Sequence, residues 1–499
     1  MDVPTSIYYV AIILSLYTIY GIVYRLYLSP ISKFPGPKLA AITWWYEYYY
    51  DVILRGKYIW KIQELHERYG PIIRINPYEL HVIDPTFRDT LYAGSAKNKR
   101  DRWSWHARGM GIDYSMLGTV EHNLHRQRRA ALGSFFSKQN VERLQEVMDE
   151  RIDTFLTRLR HCAEIGKVVN IDHAYSAFTN DVVMQYCFGR NDHRVEADNF
   201  DPTFHAVSFN AGISGTMMRH NHWIMRPEAA SFVILKRERI DQLEAIRREG
   251  KATTNDTSHA TIFHDLLKSN LPESEKTSER LAEEAVLLVG AGTHTAAWAL
   301  TVMTFHLLSQ PTLLKQLKDE LKTVQPEIGE TFELARLEKL PFLTAVIKEG
   351  LRLSYGATSR LPRVAPDTPL AYEDWVIPPG TPVSMMIPLT HHYETIFPDS
   401  YSFKPSRWLD DATGHLDKYL VSFSRGSRAC LGINLAWSEL YLCAAGLFSK
   451  FGTKENGRLA DGGFMELYET DVSDVQIERD LFFPVVKDGS KGVRVKFTT

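Results

Sequence analysis

A long apolar helix near the middle of the chain constrains most strongly what this sequence can fold into. Its helix signals begin near Ser278 and stop at Pro311. The acids Glu283 and Glu284 lie in the early turns, where the helix dipole favours them. Roughly thirty residues make a helix of about 45 Å, which is enough to cross a whole domain. Its centre, residues 287–298, is apolar on nearly every side, so we expect this helix to be buried.

Two glycines and three polar residues interrupt that apolar centre. Gly290 and Gly292 each cost about 1 kcal/mol relative to alanine, so either another group approaches the backbone closely or the helix opens locally. Thr293, His294 and Thr295 need hydrogen-bonding partners if they are buried, and a break in a helix that lines a cavity would supply them. The two glycines make a weak phosphate loop, because a third glycine and a Gly-Lys-Ser/Thr ending are missing.

The composition is that of a large globular protein. Of its 499 residues, 44% are apolar and 12% aromatic, which excludes a disordered or fibrous chain. Length alone predicts about three domains. A net charge of −2 argues against nucleic acid as the main partner. Four scattered cysteines, Cys162, Cys187, Cys430 and Cys443, are too few for a disulfide scaffold or a paired-cysteine zinc site, and they favour a reducing compartment.

The N-terminus carries an apolar run from Ile7 to Tyr24. Eighteen residues in a helix cover about 27 Å, which is just enough for a bilayer core. No small-residue cleavage site follows, and the basic residues Arg25, Lys33 and Lys38 lie after the run. The positive-inside rule then leaves the N-terminus outside and the bulk of the chain in the cytosol. We therefore expect a single uncleaved membrane anchor, with a buried core helix as the alternative.

Short patterns predict the remaining elements. The aromatic segment 44–50 fits either the headgroup level of a membrane or the first core helix, with equal weight. Residues 249–258 read as a polar loop, where Asn255 begins a glycosylation sequon that a cytosolic location would leave unused. The other predicted elements are a hairpin of Ile72–Ile75 with Glu79–Ile83, a helix over Pro341–Ser354, strands at Trp375–Ile377 and Val383–Ile387, and a C-terminal hairpin of Leu481–Val486 with Gly492–Phe497.

A ten-residue segment near the C-terminus carries the strongest chemical signal. A single cysteine, Cys430, follows Gly426 and Arg428 and precedes Gly432. Glycines permit a tight turn whose backbone N–H groups point at the sulfur. The adjacent Arg425 and Arg428 would lower the pKa of the thiol. Such a thiolate is a strong axial ligand for haem iron, and a buried structural cysteine is the alternative.

The pattern Phe423-x-x-Gly426-x-Arg428-x-Cys430-x-Gly432 resembles the haem-binding loop of the cytochrome P450 family. Three further motifs follow the family's order: Glu349-Gly350-Leu351-Arg352 resembles its ExxR helix, Phe403 to Trp408 resembles the segment that adds a second arginine, and Ala291 to Thr295 resembles its oxygen-binding groove. The resemblance covers essentially the whole chain. It implies a mainly α protein with a smaller β portion, in the cytochrome P450 fold, preceded by a single transmembrane helix. Residues 1–28 would be the anchor, 29–40 a Pro-rich spacer and 41–499 one haem-thiolate catalytic domain.

The resemblance also implies roles for individual residues. Cys430 would be the axial thiolate of haem b, and Glu349, Arg352 and Arg407 a buried ion-pair triad that fixes the haem loop. The haem propionates would be bound by Arg428, Arg363, His125 and Arg129, where His125 replaces the family's tryptophan, and Phe423 and Gly426 belong to the haem-binding loop. Thr295 would hydrogen-bond dioxygen. His294 stands where the family has Asp or Glu, so it is either a proton shuttle or a residue that closes a buried network.

The implied function is a monooxygenase that inserts one oxygen atom into a hydrophobic small molecule. The chain has no dinucleotide-binding turn, so electrons would come from an NADPH-cytochrome P450 reductase, with cytochrome b5 as an occasional second donor. The expected location is the endoplasmic reticulum membrane, single-pass, with the catalytic domain in the cytosol. Similarity to fungal secondary-metabolite members favours a terpenoid or polyketide-type substrate. The alternatives are a haem-thiolate isomerase or dehydratase that needs no reductase, and a non-catalytic haem binder. The pocket would draw on residues around 103–117, 286–295, 358–361 and 480–483.

Overall fold

The chain folds into a mainly helical structure with small sheets at its edges. The computed structural model describes residues 3–94, 98–108, 111–207, 209–210, 220, 227–249, 261–327, 330–454 and 462–499. The long helices within them are α1 (Val3–Val23), α2 (Tyr58–Tyr69), α3 (His122–Gly133), α4 (Gln145–Glu164), α5 (Ile171–Phe188), α6 (Pro227–Glu249), α7 (Ser278–Ser309), α8 (Pro311–Leu321), α9 (Pro341–Ser354) and α10 (Ile433–Lys450). Shorter α-helical segments are Lys38–Ile42, Trp45–Tyr48, Arg88–Leu91, Ser104–Ala107, Lys138–Glu142, Ile262–Lys268, Leu334–Leu337, Ile387–His391 and Ser406–Asp410.

The strands are short and form sheets of two to five members. They are β1 (Ile72–Arg74), β2 (Leu80–Val82), β3 (Asp101–Arg102), β4 (Val168–Asn170), β5 (Arg363–Val364), β6 (Leu370–Tyr372), β7 (Trp375–Ile377), β8 (Pro382–Ser384), β9 (Phe451–Gly452), β10 (Gly463–Leu467), β11 (Arg479–Leu481), β12 (Phe483–Val485) and β13 (Arg494–Thr498). The sheet orders are β1-β2-β8-β5-β3, β4-β13-β10-β9, β11-β12 and β6-β7. The predicted hairpin of β1 and β2 is confirmed, with Ile72 opposite Val82.

Helix α7 is the central element of the molecule, as the sequence predicts. The side chain of Thr277 caps its first turn by accepting from the Arg280 N–H, and Pro311 begins the next helix directly after it. Nearly all of its buried apolar side chains belong to one cluster, which extends along the chain from Met116 to Phe497 and includes the buried apolar residues of α4, α5 and α10. A buried helix of this length positions the residues near its middle deep inside the protein.

The helix does not break at its glycines, so the predicted local opening is wrong. Residues 278–309 form one continuous α-helix. A Cβ added to Gly292 would lie 2.9 Å from Val183 Cγ2, which shows that α5 packs directly against the backbone there. The buried Thr293 finds its partners on α5 as well, since its carbonyl accepts from Thr179 Oγ1 at 2.7 Å and its Oγ1 accepts from Asn180 Nδ2 at 3.0 Å. Close packing of α5 therefore explains Gly292 and the burial of Thr293, whereas a Cβ added to Gly290 would meet nothing within 4 Å.

The predicted C-terminal hairpin is also wrong. The chain reverses at Phe482, whose φ is 75°, so that β12 pairs with the preceding β11, whereas β13 pairs with β10 and β4. Val495 and Phe497 of β13 are fully buried, and pairing with β10 and β4 places them in the main core. The predicted strand 383–387 is shortened too. It ends at Ser384, and a helix starts at Ile387, where Pro388 in the first turn favours it.

The N-terminal apolar helix lies outside this core. Ser6–Leu28 is long and apolar enough to cross a membrane, and none of its apolar window is buried. The alternative of a buried core helix is therefore wrong. The window of α7 has similar length and hydropathy, but it is 61% buried inside the protein.

The aromatic segment that follows the N-terminal helix is partly exposed and partly packed on the core, and its predicted place at the headgroup level stays a prediction. Trp45 is 72% exposed, whereas Tyr46 and Tyr50 pack on the buried Tyr58. The predicted glycosylation sequon at Asn255 lies outside the described residues.

Candidate active site

A cavity of about 340 Å³ lies beside the middle of α7 and the start of α10. Most of the residues that the sequence singles out meet in its wall: Cys430, Arg428, Arg363, His125, Arg129, Phe423, His294 and Thr295. Gly426, Glu349, Arg352 and Arg407 are not in the wall. Each of the four predicted pocket segments contributes residues to the wall. These are Ile112, Met116 and Leu117 from the first, residues 286–292 from the second, Leu361 from the third, and Phe482 and Phe483 from the fourth.

The loop that carries Cys430 has its shape because Gly426 occupies a position that only glycine tolerates. Its φ is +74°, and a Cβ there would overlap the carbonyl oxygen of Tyr92. The Cys430 N–H donates to the Phe423 carbonyl at 2.8 Å, which closes the loop. The side chain of Cys430 is exposed, and since the residue lines the cavity, that exposure is to the cavity.

The electrostatics of the thiol differ from the prediction. Burial raises the pKa of Cys430, and the Gly432 N–H and Arg129 lower it only in part. The predicted cations point elsewhere. Arg425 donates to the Lys418 carbonyl at 2.5 Å, and Arg428 donates to the Thr119 and Val120 carbonyls at 2.6 and 2.7 Å. Without a bound metal ion the Cys430 thiol is therefore protonated, and coordination to a metal ion would deprotonate it.

Positive charge accumulates in the cavity wall beside the thiol. Arg363, Arg428 and Arg129 form no ion pair with any described carboxylate; Arg363, for example, hydrogen-bonds only to backbone carbonyls two and one residues before it. Burial, followed by the charge of Arg363, lowers the pKa of Arg428 to about 9. The carboxyl of Glu439 also lines the cavity, but burial raises its pKa well above the usual value, so it is neutral and offsets nothing.

This surplus of charge fits a bound haem. Burial, then Arg428 and Arg129, lowers the pKa of His125, so its ring is neutral. Its buried Nδ1 has no hydrogen-bond partner among the described residues. Two propionate carboxylates would offset two of the three arginine charges and accept from the orphaned imidazole if its proton lies on Nδ1. The thiol of Cys430 in the same cavity would provide the axial ligand. The residues present therefore fit the group that the sequence predicts.

The predicted triad is assembled outside the cavity. Glu349 Oε1 lies 2.8 Å from Arg352 Nη2 and 3.0 Å from Arg407 Nε, and the side chains of Glu349 and Arg352 are fully buried. Burial raises the pKa of Glu349, but the Arg352 guanidinium more than reverses this, so the carboxylate stays ionised. Trp408, which sequence reasoning did not single out, donates from Nε1 to Glu349 Oε2 at 2.9 Å. Trp408 directly follows Arg407 in the sequence, and this position was the signal that could have linked it to the triad.

A second missed residue, His391, connects this triad to the loop of Cys430. Its Nδ1 lies 2.7 Å from the Arg352 carbonyl, and its Nε2 accepts from the Val421 N–H at 3.0 Å. Ser422 adds a hydrogen bond to the Leu351 carbonyl at 2.8 Å. Thus α9 holds the two residues that directly precede Phe423. The sequence gives no sign of this bridge, because it depends on a turn that only the tertiary structure defines.

On α7, Thr295 and His294 face different surroundings. Thr295 Oγ1 donates to the Ala291 carbonyl at 2.9 Å beside the cavity. His294 is buried among the rings of His205, Phe209 and Phe483, with centroids 5.4 to 6.0 Å away. Burial, and then His205, lowers the pKa of His294 to about 3, so the ring is neutral. At neutral pH it can therefore accept a proton only transiently.

Comparison with known proteins agrees with this geometry. Residues 37–459 match the family model described as Cytochrome P450. The chain is 45% identical to cytochrome P450 monooxygenase tpcC of Cochliobolus heterostrophus, over 99% of this chain and 98% of that protein. It is 43% identical to cytochrome P450 monooxygenase astB of Talaromyces wortmannii, over 97% and 96%, and 39% identical to tryptophan 6-hydroxylase fscE of Fusarium equiseti, over 94% and 93%.

The fold is similar to that of a solved structure, a retinoic acid-bound cyanobacterial CYP120A1. The TM-score is 0.69 at 19% sequence identity, covering 87% of this chain and 93% of that one. At such low identity the likeness concerns the fold, and it confirms the predicted mainly α architecture with a smaller β portion.

Proposed function

This chain belongs to the cytochrome P450 family and is a haem-thiolate monooxygenase, and from that premise we propose that it is membrane-bound and hydroxylates or epoxidises a hydrophobic intermediate of a fungal secondary-metabolite pathway. The observation that carries the proposal is a largely apolar cavity whose wall includes both Cys430 and Thr295. Relatives named as monooxygenases cover nearly the whole chain and support the reaction class.

In this proposal the residues predicted to hold the haem and the triad keep their roles. Haem bound through Cys430 supplies the reductive activation of dioxygen. Arg363, Arg428 and Arg129 would hold it through its carboxylates, with His125 as a further hydrogen-bonding partner. Thr295 Oγ1 holds a proton at the cavity wall, and the apolar residues around it exclude bulk water. The triad of Glu349, Arg352 and Arg407 acts only by fixing the loop that carries Cys430 and contains Phe423 and Gly426.

A monooxygenase of this family receives electrons from a redox partner. We place that partner on the same membrane, as an NADPH-cytochrome P450 reductase with cytochrome b5 as a second donor. The exposed apolar helix Ser6–Leu28 supports a single-pass anchor, and the endoplasmic reticulum is the proposed membrane. Tethering both proteins to one surface would raise their effective concentration.

A terpenoid or polyketide-type substrate is the finer part of the proposal. Apolar and aromatic side chains such as Ile112, Leu287 and Phe483 dominate the cavity wall and suit such a skeleton. One relative is named as a hydroxylase of tryptophan, so relatives of similar identity do not share one substrate class. None of these names favours the alternative of a haem-thiolate isomerase or dehydratase.

Co-expression with a fungal reductase tests the proposal. We expect a carbon monoxide complex with the red-shifted Soret band of a thiolate-ligated haem, and oxidised products in an untargeted comparison of metabolites. Cys430→Ser is the matched control and should lose both. Turnover of a peroxide substrate without NADPH and reductase, together with no oxygenated product in the complete system, would contradict the monooxygenase assignment and favour the isomerase.

A further inference from the structure

Arg239 is a buried cation in the cavity wall that the proposed chemistry does not use. It lies on α6, is 2% exposed and lines the same cavity as Cys430. Its Nη1 donates to Gln242 Oε1 at 2.7 Å and lies 3.5 Å from Met184 Sδ. No described residue accepts a hydrogen bond from its Nε or Nη2. One nitrogen of the guanidinium is thus held in place, and its Cζ lies 5.8 Å from the centroid of the Phe188 ring. No described residue pairs with the opposite edge, Nε and Nη2.

The acids around Arg239 do not neutralise it. Among acids, Asp192 has the largest effect on the pKa of Arg239. Its two oxygens, however, lie 2.7 Å from Arg190 and 3.1 Å from Arg194. Glu238 is exposed and makes no ion pair with Arg239. Among the described residues, no carboxylate lies within ion-pair distance of Arg239. Burial lowers the pKa of Arg239, but a guanidinium starts so high that it remains charged.

The sequence excludes a carboxylate from the segments that precede α6. Residues 211–219 and 221–226 contain no Asp or Glu. The first acid of α6 is Glu228, eleven positions before Arg239 on the same helix, which is about 16 Å along the axis. A buried charge with no counter-ion among the described residues is unfavourable, so an anion that enters the cavity would be favoured beside Arg239.

The position of Arg239 separates it from the residues proposed to hold the haem. Those lie on α3, on β5 and in the loop of Cys430, whereas Arg239 is on α6. Leu235, one turn earlier on α6, also lines the cavity, together with Val183 and Phe204. A ligand that reaches Arg239 therefore passes along an apolar wall before it meets the charge.

We propose that Arg239 binds a carboxylate of the substrate through its free Nε–Nη2 edge, so that the substrate is a hydrophobic acid. Two parallel N–H groups match the two oxygens of a carboxylate and hold it in one orientation. The carboxylate would fix which part of the hydrophobic body lies near the haem. The link to oxidation rests on the proposed function, whereas the binding preference does not.

Paired probes test the preference directly. The holoenzyme is titrated with tetradecanoic acid and abietic acid and with their methyl esters, and affinity is measured by equilibrium dialysis and by the optical shift of the haem. We expect at least one acid to bind about tenfold more tightly than its ester. Arg239→Gln should remove that preference and leave the ester's affinity unchanged. Arg237→Gln, an exposed arginine on the same helix, is the matched control and should change neither.

The variants are first checked for their carbon monoxide spectrum and far-ultraviolet circular dichroism. If Arg239→Gln does not fold, Arg239→Lys takes its place. It should keep a weaker preference for the acid, because it retains the positive charge but lacks the two parallel N–H donors. Equal affinity for acid and ester in both pairs, or equal weakening of both by the variant, would overturn the proposal. If the acid preference holds but no product forms with a reductase, the proposed function fails and this inference stands.

Discussion

His205 Nε2 lies 3.0 Å from Asp172 Oδ2, and the His205 ring meets the ring of His294 edge to face. His294 occupies the position where the family resemblance leads us to expect a carboxylic acid. A carboxylate is nevertheless present one histidine further from the cavity. The side chains of His205 and Asp172 are 14% and 19% exposed, whereas His294 is buried.

We therefore expect Asp172→Asn to impair proton delivery. The substitution keeps the shape but removes the charge that orients His205, so a several-fold larger share of the NADPH consumed should appear as hydrogen peroxide. The ratio of product to NADPH and the solvent isotope effect measure this. His173→Gln is the control, because the His173 ring lies against His205, 4.5 Å between centroids and tilted by 42°, without a hydrogen bond to Asp172. Unchanged coupling in Asp172→Asn would assign His294 to a purely structural network.

Thr295→Ala should have a similar effect by a more direct route. The variant loses the hydroxyl that donates to the Ala291 carbonyl and faces the cavity. NADPH consumption should continue while product falls and peroxide rises. Thr295→Ser, which keeps the hydroxyl, should restore most of the coupling. Wild-type coupling in Thr295→Ala would remove this residue from the mechanism.

The two glycines of α7 should respond to alanine with opposite signs. In Gly292→Ala the new methyl group meets Val183 Cγ2 at 2.9 Å, and overpacking of this kind typically costs about 1–3 kcal/mol of the free energy of unfolding. Gly290→Ala meets nothing within 4 Å and should stabilise by up to about 1 kcal/mol through helix propensity. Thermal unfolding compares them. The double variant with Val183→Ala should recover part of the loss, and no recovery would point to another cause.

Glu349→Gln should be severely destabilising. It leaves the buried guanidinium of Arg352 and the adjacent Arg407 without their shared carboxylate, a change that costs about 3–5 kcal/mol in buried pairs. Lys348→Gln on the same helix is the control: its pair with Asp417 is at the surface and should contribute about 0–1 kcal/mol. The thiolate-type Soret band should be lost from the first variant and kept in the second. A stable, haem-loaded Glu349→Gln protein would contradict this role.

The buried histidines predict loss of stability in mild acid. Burial lowers the pKa of His306 to about 4 and that of His392 to about 3, whereas an unfolded histidine titrates near 6.5. Between these values the unfolded state binds protons that the native state does not. The free energy of unfolding therefore falls as the pH drops below about 6.5, by up to about 1.4 kcal/mol per pH unit for each such histidine.

Urea unfolding of the full chain in detergent at pH 7.5 and 5.5 measures this slope. His306→Phe keeps the ring stacked on Phe403, whose centroid lies 4.8 Å away, and should reduce the slope. A midpoint that does not change with pH would show that these rings already titrate in the native protein.

Local sequence patterns predict two kinds of element: strands that pair with a neighbour in sequence, and helices with a long periodic pattern of apolar residues. Helix α9 matches its predicted bounds, Pro341 to Ser354, and the hairpin of β1 and β2 forms as expected. The pairing of β13 with β4 was not predictable, because more than three hundred residues separate them and no local signal specifies the pair. The length-based expectation of three domains likewise ignores that one long helix can organise a single large core.

The site shows the same division. Residues of one sequence motif, such as Cys430 and Arg428, line the cavity together, so their motif was enough to predict a shared site. His391 and Arg239 lie outside the motifs. His391 matters because the fold brings two backbone groups within its reach, and Arg239 matters because no described carboxylate pairs with it. Residue patterns cannot reveal a missing counter-ion.

The arginine-rich wall beside Cys430 makes haem part of the folding reaction itself. Without bound carboxylates the folded chain holds several buried cations in mutual repulsion, whereas the unfolded chain hydrates each of them. A group that binds only the folded state stabilises it by mass action, and here it also relieves that repulsion. The yield of mature enzyme in a cell should therefore follow the supply of haem as closely as it follows the rate of translation.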